Sequence, residues 1–171
     1  PESIRGLYYL DEPCFASEFF VDGVCYDLNV CITEGGHGNE RGKQLASKII
    51  NIDVVLICFS IYESNSVTDN VINYWIPEVR RHCPSTPIVL VGTKTNDRWN
   101  SINVRSSKFS VEDGILLAQQ NNADTYVECS LNMEDIDAVF VAAVRAAVKA
   151  KKPQPALHTR LQPALDTRLQ P

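Results

Sequence analysis

A mostly parallel α/β sheet with helices on both faces is predicted by three observations. Residues 53–60 and 87–92 are apolar at nearly every position, the pattern of strands covered on both sides. Helical stretches alternate with these runs. The clearest carries Ile136, Val139, Phe140, Ala143, Val144 and Ala147 at spacings of three and four. Asp22-Gly23 joins two segments of alternating character, which places one antiparallel hairpin at the sheet edge.

Length sets the scale. The 171 residues suit one domain, read here as residues 1–150 with a tail over 151–171. A formal net charge of −5 and the absence of a long basic block argue against nucleic acid as a partner. The longest apolar run, residues 54–59, is too short to span a membrane. Six cysteines (Cys14, Cys25, Cys31, Cys58, Cys83 and Cys129) form no C-x-x-C pair and no zinc-finger spacing with histidine. They are read as reduced, partly buried thiols of a cytoplasmic protein, with no metal site.

In chain order, the hairpin spans residues 15–32. Phe15, Ser17, Phe19 and Val21 alternate on one strand, and Val24, Tyr26, Leu28 and Val30 on the other. Residues 34–43 are glycine-rich and polar, hence a loop, and 44–50 are read as a short helix. After the first apolar run, residues 66–83 read as a helix with Val71, Ile72, Trp75 and Val79 on one side, kinked or interrupted at Pro77. Residues 96–108 are polar and irregular. Ser110 opens the next helix with Asp113 three residues on, close to a capping-box pattern. That helix runs to about Asn121, a strand follows at 125–129, and the clear amphipathic helix closes the domain. The tail holds a tandem octapeptide, QPALHTRL then QPALDTRL, with leucines four residues apart. A proline in every eighth position argues against one continuous helix, and a disordered tail is expected.

The segment WIPEVRRHCPSTPIVLVGTK, residues 75–94, strongly resembles Rho-family small GTPases. So do residues 55–60 (VLICFS), the Val21-Asp22-Gly23 turn, Glu128-Cys129-Ser130 and the helix around Val139-Phe140. The resemblance covers about residues 15–148. It implies a Ras-like P-loop NTPase fold, GTP or GDP with Mg2+ as cofactors, slow GTP hydrolysis, and Rho-type protein effectors or regulators as partners in signalling to actin.

Each functional element of that family transfers separately. Phosphates are held by successive backbone N–H groups at a helix N-terminus, with a lysine on the β/γ-phosphates and a hydroxyl on the metal. The signature G-x-x-x-x-G-K-[ST] occurs nowhere in the chain. Residues 1–21 precede the hairpin turn, whereas a strand–loop–helix unit needs about 30 residues. The first strand and phosphate loop are therefore expected to be missing. Gly36 to Gln44 imitates the signature, but its glycines stand one residue too far apart and Gln44 replaces the hydroxyl; it is read as a loop.

The resemblance aligns residues 31–37 with the family's W-D-T-A-G-Q-E. Ile32 stands for the aspartate on the magnesium-bound water, and Gly35 keeps the glycine that senses the γ-phosphate. Gly36 stands for the glutamine that orients attacking water, so no catalytic residue is expected. His37 is read as a solvated loop histidine. The first-switch threonine that contacts magnesium falls near Leu10. The guanine site carries over as Thr93, Lys94, Asn96 and Ser130. Asn96 replaces the aspartate that accepts two hydrogen bonds from guanine and offers one acceptor and a mismatched NH₂. Ser130-Leu131 stands for S-A-L with one residue deleted. No cysteine follows Cys129, so no lipid anchor is expected, and Lys149, Lys151 and Lys152 attract membranes only weakly.

Three functions fit these residues. The first is a pseudo-GTPase or interaction module with impaired nucleotide binding and hydrolysis. The second is a piece of a GTP-binding Rho-type GTPase, compatible with Pro1 as the first residue. The third is a non-functional remnant, because loss of a central strand opens the core unless residues 3–10, with Leu7, Tyr8, Tyr9 and Leu10, supply a substitute.

Overall fold

Alternation along the central strands splits their side chains between two cores, and this places helices on both faces. The computed structural model describes residues 2–5, 15–30, 52–62, 66–95, 109–130 and 133–151. The strands are β1 (Glu2–Arg5), β2 (Phe15–Val21), β3 (Val24–Val30), β4 (Val55–Ser60), β5 (Ile88–Thr93) and β6 (Thr125–Cys129). The helices are α1 (Ser66–Trp75), wound as a π-helix, α2 (Ile76–His82), α3 (Val111–Gln120) and α4 (Met133–Lys151). The predicted loop at 34–43 and helix at 44–50 lie outside the described residues, as do the irregular segment 96–108, the switch positions and the octapeptide tail.

Among the described residues, two three-stranded sheets form, ordered β1-β3-β2 and β4-β5-β6. β4, β5 and β6 are parallel, with Val55 opposite Ile88 and Val89 opposite Thr125. β2 and β3 pair antiparallel from Phe15↔Val30 to Val21↔Val24. Their turn has positive φ at both central residues, Asp22 at 52° and Gly23 at 81°, the type I′ geometry that matches strand twist.

On one face, Val55, Ile57 and Phe59 of β4 join Ile88 and Leu90 of β5 and Tyr126 of β6. Val71, Ile76 and Val79 cover them from α1 and α2, and Leu117 and Ala118 from α3. On the other, Val54, Val89 and Val91 meet Val139, Ala143, Val144 and Ala147 of α4. Val21, Tyr26 and Leu28 of the hairpin enter this second core, so α4 links the two sheets.

Some boundaries differ from the sequence expectation. The helix over 66–83 is two windings, π up to Trp75 and α from Ile76 to His82. Pro77 explains the change: it has no N–H to donate and its ring crowds a preceding α-turn. Placed in the first turn of α2, its missing N–H falls where no intrahelical partner is needed. Pro87 likewise gives no ladder N–H, so β5 begins at Ile88, while the Pro87 carbonyl accepts from Val55 N–H at 2.9 Å.

The predicted substitute strand over 3–10 is found only as Glu2–Arg5, with Leu7 to Leu10 outside the described residues. β1 runs parallel to β3, Glu2 opposite Tyr26 and Arg5 opposite Asn29. Among the described strands it has no pairing with β4. Nor is β4 fully covered on both faces, as its apolar run suggested: Leu56 is half-buried and Cys58 exposed.

Candidate functional site

Parallel sheets present ligand sites at the carboxyl ends of their strands. The register here puts Ser60, Thr93 and Cys129 side by side at that edge. Thr93 is fixed by its hydroxyl, which donates to the Phe59 carbonyl at 3.0 Å, and its carbonyl accepts from Ile61 N–H at 3.3 Å. The turn out of β5 is made by Lys94, exposed and with φ at 67°. A side-chain-bearing residue in the left-handed region is uncommon and points to a loop whose shape the fold imposes.

Ser130 follows β6. Its backbone N–H donates to Asp135 Oδ2 at 3.0 Å, and its hydroxyl also donates to that oxygen. Asp135 lies in the first turn of α4, where a carboxylate is favoured by the helix dipole. Cys129 beside it has its thiol pushed up, first by burial and then by the Asp135 charge, and donates to the Ser130 carbonyl at 3.1 Å. Beneath this edge Tyr126 donates to Glu128 Oε1 at 3.1 Å.

The structure thus brings together Thr93, Lys94 and Ser130, three of the four guanine-site positions. Asn96 lies outside the described residues, as do Gly35, Gly36 and Ile32. Asp135 was not anticipated. Its signal is a serine after a strand with an acid in the first turn of the next helix, a capping pattern lengthened beyond the usual spacing.

This strand-end arrangement agrees with a family model described as "Ras family", which matches residues 14–149. The chain belongs to the Ras family. It is a small GTPase relative in fold and in the class of GTP-switch signalling proteins. Ras-family GTPases generally bind GTP or GDP with Mg2+ and interact with effectors and regulators. Among the described residues, no group of three or more histidine, cysteine, aspartate or glutamate side chains is placed to hold a metal ion. No described helix is long and apolar enough to cross a membrane.

Proposed function

We propose that this Ras-family chain is a Rho-type pseudo-GTPase, an interaction module with impaired nucleotide binding and hydrolysis. The observation that carries the reading is the link from β1 to β2. β1 lies parallel to β3, where a phosphate-loop strand belongs, and only residues 6–14 connect Arg5 to Phe15. That link has no G-x-x-x-x-G-K-[ST] and is too short for both a phosphate loop and a helix of about ten residues or more.

The base end supports the same reading less directly. Ser130-Leu131 stands for S-A-L with one residue deleted, which displaces the backbone N–H that would face a guanine carbonyl, and Ser130 N–H itself is turned to Asp135. Asn96 mismatches guanine by its donor pattern. The residues present therefore fit a base in part and do not fit the phosphates or Mg2+. Gly36 leaves no side chain to orient water. In this reading the domain spans residues 1–150, the tail 151–171, and function lies in surfaces that meet Rho-type effectors or regulators in the cytoplasm.

A second reading, a piece of a GTP-binding Rho-type GTPase, is favoured by the left-handed Lys94 turn at the base-side end of β5. Phosphate release from GTP under single-turnover conditions separates the two. The pseudo-GTPase reading expects release at the buffer rate with protein in excess over nucleotide. Protein-dependent release that requires Mg2+ contradicts it.

A further inference from the structure

Alternation in the hairpin turns Phe19, Val21, Tyr26 and Leu28 toward the core under α4, so their neighbours lie on the opposite face. Register defines a cell of four residues on that outer face. Glu18 stands directly opposite Asp27, and Phe20 directly opposite Cys25. Phe20 is 70% exposed, Glu18 is exposed and Asp27 half-exposed.

Two features of this cell work against the isolated domain. Like charges directly opposite in an antiparallel pair, with Cβ atoms about 5 Å apart, repel each other. The ion pairs of the described residues join Glu78 to His82, Asp22 to Arg145 and Asp53 to Lys151, and leave both Glu18 and Asp27 uncompensated. In register the nearest cation is Arg5, opposite Asn29 and so diagonal to Asp27. Phe20 beside the two carboxylates keeps a large apolar side chain in water, with nothing gained in folding. Two local rules broken together on one exposed face mark a surface kept for something outside the fold.

Charge selects the occupant. A second copy of the chain laid face to face on this cell would bring four carboxylates together. Anionic lipid and nucleic acid are repelled for the same reason, in a chain of net charge −5. Two carboxylates on an open sheet are too few for a metal ion, and no group of three or more candidate ligands occurs among the described residues. A guanidinium suits all three side chains: its planar fork bridges carboxylates and its face stacks on an aromatic ring.

We propose that the outer face of the hairpin at Glu18, Phe20 and Asp27 docks an arginine-bearing segment of a partner protein. The guanidinium lies over Phe20 and its N–H groups donate to the Glu18 and Asp27 carboxylates. This rests on the reading that the domain acts through its surfaces, and it names one of them. The contact is exposed, so it is weak alone, sensitive to salt, and selects partners by charge.

The isotope-labelled full chain, without nucleotide, is titrated with the peptide Ac-Leu-Arg-Leu-Arg-Leu-amide and followed by amide chemical shifts. Saturable shifts centred on residues 18–20 and 25–27 are expected at millimolar peptide or below. Binding should be about threefold weaker to Phe20→Ser and about tenfold weaker to Glu18→Gln with Asp27→Asn. The same peptide with glutamate in place of arginine should not bind. The double charge variant should also melt at a higher temperature, because a repulsion has been removed. No saturable shifts, equal binding of the two peptides, or unchanged affinity in the charge variant overturns the proposal. So does a lower melting temperature for that variant, which would assign the two carboxylates to a cation within the chain. Protein-dependent GTP hydrolysis with the shifts intact would overturn the pseudo-GTPase reading and leave this surface standing. Absent shifts in a chain that also fails to hydrolyse GTP overturn the surface alone.

Discussion

Arg145 on α4 grips Asp22 at the hairpin turn through both carboxylate oxygens, Nη2 to Oδ1 at 2.7 Å and Nε to Oδ2 at 3.1 Å. The two residues are far apart in sequence and join the two sheets. The Arg145 hydrogen bond is the largest influence on Asp22 and holds its carboxyl below the usual 3.8. A carboxyl depressed by folding stabilises the folded state above its unfolded value, and that contribution fades as pH falls through the folded value. Asp22→Asn is therefore expected to lower the melting temperature slightly at pH 7, with the gap to the parent chain closing below pH 3.8. High salt should also shrink the gap, because both groups are exposed. A gap that widens with acid would contradict this role.

Gly114 in α3 is expected to resist replacement although helices favour alanine. Its backbone lies against the Tyr126 ring, and an added Cβ would collide with Cε1, Cζ and Cδ1 of that ring. Propensity alone would make Gly114→Ala stabilising by about 1 kcal/mol. Overpacking of a filled core costs about 1–3 kcal/mol, so the clash should offset or exceed the gain. Urea unfolding is expected to give a net loss for Gly114→Ala, and a smaller loss when the same change is made in a Tyr126→Ala background. A clear net gain in the parent background would contradict the packing.

Cys58, Cys83 and Cys129 should be slow nucleophiles near neutral pH. Burial raises Cys58, Cys83 and Cys129, and Cys58 reaches about 11. Thiolate is the reacting form. Cys58 alkylation is therefore expected to keep rising with pH up to about 11. A plateau near the ordinary value of 9.0 would contradict the upward push on this thiol.

Much of this fold was legible from residue pattern because period and punctuation agreed. The Asp22-Gly23 turn, the Ser110–Asp113 capping box and the spacing of Val139, Ala143 and Val144 each fixed an element where the structure has it. Pro77 was read as a kink because pattern alone does not tell a bend from a change of winding. The apolar run of β4 suggested cover on both faces, but hydropathy records what a strand can bury and not what is there to bury it. At the site, Thr93, Lys94 and Ser130 converge through parallel register. Asp135 escaped notice because its partnership with Ser130 depends on how the chain turns between β6 and α4.

Asp135 carries the next expectation. Ser130 gives it two hydrogen bonds, one from N–H and one from the hydroxyl. Asp135→Ala is expected to cost about 1–2 kcal/mol, since hydrogen bonds to a carboxylate are stronger than neutral ones and this one is half-exposed. Amide exchange at Ser130 should accelerate by more than that at Leu90, whose strand is buried. Uniform acceleration at both would mean that Asp135 acts through global stability and not on this loop.

Fluorescent GDP and GTP titrated into the purified chain, with and without Mg2+, test the central claim most directly. The expected result is no saturable binding up to millimolar nucleotide in a sample that circular dichroism shows to be folded. Micromolar or tighter binding that requires Mg2+ would contradict the account.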